Sequence, residues 1–323
     1  MTQSPILEVQ DLKTHFFTRT GVVKAVDGVS IHLNAGETLG IVGESGCGKS
    51  MTALSIMGLV PQPAGRIVGG RILLDGENLL EKTQAEMQEV RGRKVCMILQ
   101  DPMTSLNPVY TVGEQVVETL RMRTGSRLGD LKERGIDLLN RVKISSAAER
   151  MGSFPHQMSG GMNQRVVGAI ALAGGPKVLI ADEATTSLDA TIQYQYLQLL
   201  RDLQADTGLS IIFITHDFGI VAHMCTRVAV MYAGKVVETA GVRDLFNNPA
   251  HPYTEALMRS VPNVEEDVDH LYSIEGQPPA LDKLPQGCAF ADRCPHAYDR
   301  CREAYPEQLK VSEGHSASCW KLA

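Results

Sequence analysis

The order of apolar and polar positions along the chain predicts a fold in which short strands alternate with helices. Runs rich in β-branched residues and bounded by turn residues predict strands at residues 6–9, 29–33, 38–42, 71–74 and 95–99. The pattern is helical over residues 49–58, and mostly helical spacing continues from about residue 112 to residue 142. This second interval is interpreted as part of a helical insertion, at about residues 101–173, between two halves that form sheet.

The second half of the chain contains the pattern of a parallel βαβ unit. Uncharged runs at residues 178–181 and 211–215 flank a helical pattern at residues 190–205, as is typical of strands that are buried on both faces. Strands are also predicted at residues 227–232 and 235–239, after which prolines interrupt the chain and the periodicity fades. We therefore predict an α/β core in residues 1–261, a boundary near Pro262 and a small extension in residues 262–323.

Composition narrows the class of protein. The 323 residues are 43% hydrophobic and 21% charged, which is ordinary for a soluble globular protein. Lys and Arg total 31 against 37 Asp and Glu, so no basic field favours nucleic acid, and we expect no nucleic-acid partner. No apolar run is long enough to span a membrane, and the first residues lack the pattern of a signal peptide. We therefore expect a cytoplasmic protein.

A glycine-rich segment after the third predicted strand carries the clearest chemistry. Residues 43–50 fit the pattern G-x-x-x-x-G-K-[ST], and they stand between a predicted strand and a predicted helix, where a phosphate-binding loop belongs. Glycines allow backbone N–H groups to surround phosphate oxygens, Lys49 offers a cation and Ser50 a Mg²⁺ ligand. A plain glycine-rich turn is the alternative. The predicted ATP-binding residues here are Gly43, Glu44, Ser45, Gly46, Cys47, Gly48, Lys49, Ser50 and Met51.

An acidic pair follows the apolar run at residues 178–181. This run delivers Asp182 to the carboxyl edge of the predicted sheet, where a carboxylate can anchor Mg²⁺. Glu183, the next residue, is our candidate for the general base that polarises the attacking water. Any hydrolase with a phosphate-binding loop could share this arrangement.

Further motifs narrow the class of protein. Ser159, Gly160, Gly161 and Met162 precede the apolar run at residues 178–181. Here the chain resembles the ATP-binding subunits of ABC transporters, which have a Leu-Ser-Gly-Gly-Gln signature at this place as a trans contact to ATP. The resemblance extends to Gln100 of the Q-loop, to Ser187, Leu188 and Asp189 of the D-loop and to the switch histidine, His216. It implies an ABC-type nucleotide-binding fold in residues 1–261, with a RecA-like core, an antiparallel β subdomain and a helical subdomain. It also implies that Gln100 and His216 act in catalysis with Glu183, and that Ser50, Gln100 and Asp182 serve Mg²⁺.

The same resemblance implies a paired ATPase. In this family two nucleotide-binding domains meet head to tail, so that each signature segment completes the ATP site of the other. Phe16 or Phe17 is similar to the aromatic residue that stacks on adenine. Met162 departs from the family, because a thioether cannot make the hydrogen bonds of the signature glutamine. We therefore hypothesise that this chain and a homologous second ATPase form two unequal sites.

Other segments resemble the oligopeptide, dipeptide and nickel permease ATPases, and the dipeptide group most closely. These segments are residues 101–108, residues 251–254 and the C-terminal cysteine segment. The resemblance implies two transmembrane permease subunits and, indirectly, a periplasmic peptide-binding protein as partners. It implies a translocase at the cytoplasmic side of the inner membrane that imports dipeptides. Oligopeptides, a heme precursor, sugars and nickel are alternative cargoes.

Four of the seven cysteines fall in the C-terminal extension: Cys288, Cys294, Cys301 and Cys319. Their spacing lacks the C-x₂₋₄-C pair of common zinc sites, although zinc is an alternative. Four thiolates suit a [4Fe–4S] cluster, and members of the permease group carry one at these positions. Unligated thiols are the remaining alternative. Cys47 and Cys96 are expected to act as small buried residues.

Two other classes of function remain open at this stage. A soluble ABC ATPase acting on nucleic acid or the ribosome would share the motifs, but the acidic balance and the single copy of each motif argue against it. A regulatory subunit that binds ATP without hydrolysis is disfavoured by the intact Lys49, Asp182, Glu183 and His216.

Overall fold

The computed structural model describes residues 4–99, 102–124, 128–186, 188–261 and 272–323. The strands are β1 (Leu7–Thr18), β2 (Gly21–Leu33), β3 (Thr38–Val42), β4 (Gly65–Leu74), β5 (Glu77–Asn78), β6 (Val95–Ile98), β7 (Val178–Asp182), β8 (Ser210–Ile214), β9 (Arg227–Tyr232), β10 (Lys235–Gly241), β11 (Leu309–Ser312) and β12 (His315–Ala317). The helices are α1 (Lys49–Ile56), α2 (Gln84–Val90), α3 (Pro102–Ser105), α4 (Val112–Thr124), α5 (Leu128–Arg141), α6 (Ala147–Arg150), α7 (Gly160–Leu172), α8 (Ala190–Thr207), α9 (Phe218–Met224), α10 (Val242–Asn247), α11 (Pro252–Arg259) and α12 (Asp299–Glu303). Short 3₁₀ turns lie at Leu79–Glu81, Pro155–Gln157, Ala291–Arg293 and Trp320–Leu322.

The first compact unit comprises the described residues of Met1–Leu33, Thr38–Leu80 and Ile214–Ala323. It contains an antiparallel sheet with strand order β2-β1-β4-β5 and a set of strands in the order β11-β12-β10-β9-β3. Within this set β3 and β9 are parallel, whereas β10 is antiparallel to both β9 and β12. All five residues of β3 are buried, as the uncharged run at residues 38–42 predicts.

The second compact unit comprises the described residues of Asn34–Glu37 and Glu81–Phe213. Its strands follow the order β8-β7-β6, with β6 and β7 in parallel register from Val95 opposite Val178 to Ile98 opposite Ala181. Every residue of β7 and β8 is buried, and α8 runs between them in the chain. This is the predicted βαβ unit, and the α/β fold class is confirmed.

The helical interval predicted at residues 112–142 holds helices α4 and α5, and residues 125–127 between them lie outside the described part. Capping explains where several helices begin. Thr111 accepts from the N–H of Glu114 at the start of α4, and Asp189 accepts from the N–H groups of Thr191 and Ile192 at the start of α8.

Two strands are much longer than the sequence predicts. The strand predicted at residues 6–9 continues to Thr18, through register shifts that begin between Val9 and Leu12. Asp11 sits there with φ +46°, a bulge conformation that breaks the two-residue alternation on which the prediction rests. Gly28, with φ +90°, similarly interrupts β2, which begins at Gly21 rather than at residue 29.

The C-terminal extension has more regular structure than its weak periodicity predicts. Strand β12 pairs with β10, with Ala317 opposite Glu238, and the N–H of Ser318 donates to the carbonyl of Val237 at 2.8 Å. The extension is therefore hydrogen-bonded to the strands of the first unit. The boundary predicted near Pro262 lies outside the described residues, as do Gln100 and Ser187.

Candidate functional site

The predicted phosphate-binding loop connects β3 to helix α1. Gly48 caps the helix with φ +107°, and a Cβ at this position would collide with the carbonyl oxygen of Ala25. Gly43 has φ +152°, and a Cβ there would collide with the carbonyl oxygen of Met231. Only glycine tolerates both the dihedral angles and the close backbone neighbours. The loop thus holds its backbone at the N-terminus of α1, where N–H groups attract anions.

Lys49 is enclosed by the loop that precedes it. Lys49 is 5% exposed, and its Nζ donates to the carbonyl oxygens of Gly43 at 2.8 Å and Glu44 at 3.0 Å. Because these partners are neutral carbonyls of the loop itself, they hold the ammonium where phosphate oxygens can replace them. Ser50, the next residue, is exposed at the first turn of α1.

The N–H, the carbonyl and the carboxylate of Glu44 all form hydrogen bonds. The carbonyl accepts from Lys49, and the other two groups bind residues from the last third of the chain. Its N–H donates to the Tyr253 hydroxyl at 2.9 Å. Its carboxylate accepts two hydrogen bonds from the guanidinium of Arg293, at 2.7 and 2.9 Å. Hydrogen bonding to Glu44 raises the pKa of Arg293. Sequence reasoning included Glu44 in the loop but missed Tyr253 and Arg293.

The first unit also carries His216, which is the predicted switch histidine, and the two candidate adenine-stacking residues. The N–H of Thr215 donates to the carbonyl of Ile41 at 3.2 Å, so His216 follows directly on a residue tied to β3, and its side chain is exposed. Phe16 is half-buried, whereas Phe17 is 47% exposed with the Arg66 guanidinium 5.6 Å from its ring centre. The choice between Phe16 and Phe17 stays a prediction.

The acidic pair lies in the second unit, at the end of β7. Asp182 is the last residue of the strand and is 6% exposed. Glu183 has φ +48°, which is uncommon for a residue with a side chain. The N–H and hydroxyl of Thr186 both donate to the Glu183 carbonyl, at 3.3 and 2.8 Å, and so hold this turn. Strained backbone of this kind is concentrated at functional sites, which suits the predicted general base.

The signature segment begins helix α7 in the same unit. Ser159 is the N-cap and accepts from the N–H of Met162 at 3.3 Å, and Ser159 and Gly160 are exposed at the helix N-terminus. Gly161 packs against α8, because a Cβ there would approach Cγ2 of Ile192 to 2.5 Å. Leu188 is half-buried, and Asp189, from the D-loop, caps α8.

The four C-terminal cysteines line one small cavity of about 20 Å³. Burial raises the pKa of Cys288 to about 11, and the neighbouring Cys319, Cys294 and Cys301 contribute. Burial also raises the pKa values of Cys294 and Cys319. Burial is the main cause of these raised pKa values, and nearby backbone groups partly offset it, at Phe290 for Cys288, at His296 for Cys294 and at Lys321 for Cys319.

These residues fit a thiolate-bound metal group by their chemistry. His251 lines the same cavity; its Nδ1 accepts from the N–H of Tyr253 at 3.0 Å, and its buried Nε2 has no hydrogen-bond partner in the part of the chain that the structure describes. A buried polar atom without a partner is costly unless a ligand satisfies it. Among the described residues, however, no three His, Cys, Asp or Glu side chains are already arranged as a metal-binding set.

The remaining cysteines are buried. Burial raises the pKa of Cys96 and of Cys225 to about 12, and it also raises the pKa of Cys47. All three lie in the packed interior, with Cys225 against Gly40 of β3. This agrees with the small-residue role expected of Cys47 and Cys96.

The described helices include none with the length and apolar character needed to cross a membrane. Two sequence families match the chain. The ABC transporter family matches residues 26–186, and the C-terminal region of oligopeptide/dipeptide transporters matches residues 237–301. The second match contains Tyr253 and Arg293 as well as three of the four cysteines.

Curated relatives match along almost the whole chain. A probable peptide ABC transporter ATP-binding protein, y4tR, of Sinorhizobium fredii is 49% identical over 98% of this chain and 95% of its own length. The oligopeptide transport ATP-binding protein AppD of Bacillus subtilis is 48% identical over 98% of this chain and 97% of its own length. The solved dimeric structure of the ATP-binding cassette MJ0796 with ADP and Pi has a TM-score of 0.66 and 24% identity, covering 73% of this chain and 99% of its own.

The chain thus matches the curated relatives along almost its whole length. It also contains a loop that encloses Lys49 before a helix, an acidic pair at the end of a strand and a helix that begins at a serine cap in the signature segment. The chain belongs to the ATP-binding, ATP-hydrolysing subunits of the oligopeptide/dipeptide ABC transporter family, which work with membrane permease subunits.

Proposed function

We propose that this chain hydrolyses ATP at the loop of residues 43–50 and thereby powers the import of dipeptides or other short peptides across the inner membrane, from its cytoplasmic side. The observation that carries the proposal is the enclosure of Lys49 by its own loop, with Nζ on the carbonyls of Gly43 and Glu44. A buried ammonium with only neutral partners is preorganised for an anion, and ATP supplies one.

The proposed roles follow the order of the motifs. Lys49 and the loop N–H groups bind the β- and γ-phosphates, and Phe16 or Phe17 stacks on adenine. Mg²⁺ is held by Ser50, with Asp182 and Gln100. Glu183 acts as the general base, and His216 orients the γ-phosphate and the water.

A second, homologous ATPase completes the site. Because Ser159 and Gly160 are exposed at the N-terminus of α7, they suit a γ-phosphate supplied by another chain. Met162 then weakens the site to which this chain contributes its signature, whereas the site built on Lys49 and Glu183 receives the partner's signature. We expect Glu183→Gln to remove most ATP turnover, and an equal loss from the same change in the partner would contradict two unequal sites.

The cargo is inferred from the relatives, since those named for peptide and oligopeptide transport support a peptide cargo. As partners we propose two transmembrane permease subunits and, indirectly, a periplasmic peptide-binding protein. The alternative cargoes are oligopeptides, a heme precursor and nickel. A soluble ATPase acting on nucleic acid is less well supported, because the net charge is −6.

Reconstitution tests this proposal. The chain is co-purified with its permease subunits and second ATPase, placed in liposomes, and its ATPase activity is measured with and without binding protein loaded with dipeptide. We expect several-fold stimulation that is lost in Glu183→Gln and kept in Glu313→Gln, a matched change at an exposed position. Turnover that ignores peptide would contradict the cargo, and failure to co-purify would contradict the partners.

We further propose that Cys288, Cys294, Cys301 and Cys319 hold a [4Fe–4S] cluster, with zinc as the alternative. The support is the cavity that the four cysteines share and the buried Nε2 of His251, which has no hydrogen-bond partner among the described residues. When bound, such a group supplies folding free energy to a segment with few large apolar residues.

Metal analysis of the full chain, purified without oxygen, tests the cysteine site. We expect about four iron atoms and matching acid-labile sulfide per chain for the cluster. The metal should be lost in Cys301→Ser and kept in Cys225→Ser, which changes a buried cysteine outside the cavity. Stoichiometric zinc would select the alternative, and a metal-free protein would overturn the site.

A further inference from the structure

The C-terminal segment, by which we mean residues 272–323, contacts the phosphate-binding loop through a pair of hydrogen bonds between Arg293 and Glu44. The guanidinium of Arg293 donates to both carboxylate oxygens of Glu44, from Nη1 at 2.7 Å and from Nη2 at 2.9 Å. This is the fork-to-fork geometry that makes an arginine–carboxylate pair both strong and directional. The Arg293 side chain is 5% exposed and that of Glu44 24%, so the pair is largely withdrawn from water.

Arg293 is itself held rigidly by its surroundings. Nε donates to the carbonyl of Glu275 at 3.0 Å, Nη2 reaches the carbonyl of Ile274 at 3.4 Å, and Nη1 reaches the hydroxyl of Tyr232 at 3.2 Å. The rings of Tyr232 and Phe290 lie 5.8 and 5.9 Å from the guanidinium carbon. With all three guanidinium nitrogens donating, Arg293 cannot follow Glu44 if the loop moves.

Glu44 transmits this constraint to the lysine of the loop. Its carbonyl accepts from Lys49 Nζ at 3.0 Å, and its N–H is fixed by the Tyr253 hydroxyl at 2.9 Å. The same residue therefore has its side chain, its N–H and its carbonyl held by three different partners. A carboxylate placed in a phosphate-binding loop would also repel ATP, and the guanidinium neutralises that charge.

We propose that Arg293 is a positioning residue for nucleotide binding: from the C-terminal segment it fixes and neutralises Glu44, and so holds the phosphate-binding loop in its ATP-competent form. The inference rests on the proposed binding of ATP at residues 43–50. Loss of Arg293 leaves the Glu44 carboxylate charged and without its arginine, so that the competent form is only a fraction of the population and the apparent affinity falls by that fraction.

Nucleotide affinity in matched variants tests this role. The dissociation constant of the non-hydrolysable analogue adenylyl imidodiphosphate with Mg²⁺ is measured by calorimetry on the full chain. We expect Arg293→Gln to weaken binding about tenfold, which corresponds to the loss of about 1.4 kcal/mol. Arg293→Lys keeps the charge but donates to fewer acceptors, and we expect a loss of about threefold. Arg302→Gln, an exposed arginine of the same segment, should bind as the unchanged chain does.

A double variant separates positioning from general damage to the fold. If Arg293 acts through Glu44, the double variant Glu44→Gln with Arg293→Gln binds no more weakly than Arg293→Gln alone, because the carboxylate that needs neutralising is gone. Multiplied losses in the double variant, or an Arg293→Gln change within twofold of Arg302→Gln, would overturn the proposal. If Arg293→Gln does not fold, Arg293→Lys and its combination with Glu44→Gln carry the same comparison.

Lys49→Ala distinguishes a failure of this inference from a failure of the proposed function. We expect Lys49→Ala to abolish binding of the analogue. If it binds normally, the proposed ATP site is wrong whatever Arg293 does. If Lys49→Ala abolishes binding and Arg293→Gln has no effect, the site stands and only the positioning role falls.

Discussion

Glu238→Gln should detach the C-terminal segment from strand β10 at a large cost in stability. Glu238 is fully buried in β10 and accepts three hydrogen bonds. Oε1 accepts from the N–H of Ala250 at 2.7 Å and from Nε2 of His315 at 2.7 Å, and Oε2 accepts from the N–H of His251 at 2.9 Å. One carboxylate thus joins β10, the segment before α11 and β12.

The cost of the substitution can be worked from these three bonds. A glutamine keeps one oxygen but turns the other into an NH₂ group, which in its best orientation faces the N–H of His251, so one buried donor loses its acceptor. An unsatisfied buried group costs about 1–3 kcal/mol, and each of the two surviving bonds loses about 1 kcal/mol when its acceptor becomes neutral. The sum is about 4 kcal/mol, within the range for breaking a buried charged network.

The fluorescence of Trp320 reports the unfolding of the C-terminal segment, where the effect of Glu238→Gln is expected. Trp320 is the single tryptophan of the chain, and it lies in the C-terminal segment with Nε1 donating to the carbonyl of Ala304 at 2.9 Å and the Arg300 guanidinium 3.8 Å from its ring centre. Urea unfolding followed by its fluorescence should show Glu238→Gln destabilised by about 4 kcal/mol, with Glu313→Gln as the matched exposed control. A difference of less than about 1 kcal/mol between the two variants would refute this account of Glu238.

Three further predictions concern the phosphate-binding loop, residue Asp27 in strand β2 and helix α7. Gly48→Ala should lower stability by at least about 2 kcal/mol and abolish nucleotide binding, because its positive φ and its carbonyl neighbour both exclude a Cβ, as unfolding and calorimetry would show. Asp27→Asn should cost about 1 kcal/mol at pH 7: burial opposes the charge, but Lys235 at 3.3 Å keeps the pKa of Asp27 below its usual value. That stability is present above pH 4 and is lost as pH falls through the lowered pKa, so urea unfolding should show a smaller cost at pH 3 than at pH 7. Gly161→Ala should cost about 1–3 kcal/mol, and Ile192→Ala in the same chain should relieve part of it, a coupling that a double-mutant cycle would measure.

Matched glycines control two of these predictions. Gly46 has φ +78° but open space around a Cβ, so Gly46→Ala should show the strain alone, and equal losses at Gly46 and Gly48 would rule out the carbonyl contact. Gly160→Ala should be neutral, because nothing lies within 4 Å of a Cβ there. An unchanged cost of Asp27→Asn between pH 7 and pH 3 would show that its charge is not the cause.

The predictions from sequence that the structure confirms rest on patterns of neighbouring residues. The strands at residues 38–42 and 178–181 were predicted because an uncharged run in a parallel sheet needs no alternation, and both are fully buried. The loop of residues 43–50 was predicted because its glycines, lysine and serine are contiguous. Where a bulge such as that at Asp11 breaks the two-residue period, the pattern is lost, and β1 was predicted too short.

Contacts between distant parts of the chain could not be predicted in this way. Glu44 and Arg293 are 249 residues apart, and neither belongs to a periodic pattern. Arg293 lies in a segment rich in cysteine. The thiols indicate metal binding, and the sequence alone therefore predicts no role for Arg293. The sequence offers only a weak signal, an arginine that follows an aromatic residue closely, as Arg293 follows Phe290.

Among the contacts of the C-terminal segment with the rest of the first unit, two involve a buried or half-buried carboxylate, and they act at different points. Glu238 with His315 fixes β12 beside β10, and Arg293 with Glu44 fixes the 3₁₀ turn Ala291–Arg293 beside the phosphate-binding loop. Cys294 directly follows that turn and lines the cysteine cavity. A ligand that orders this cavity would therefore order the turn that carries Arg293, because the two are one residue apart. If Arg293 has the proposed role, the C-terminal segment supports nucleotide binding, and we expect its loss to appear first as weaker ATP affinity and only later as unfolding.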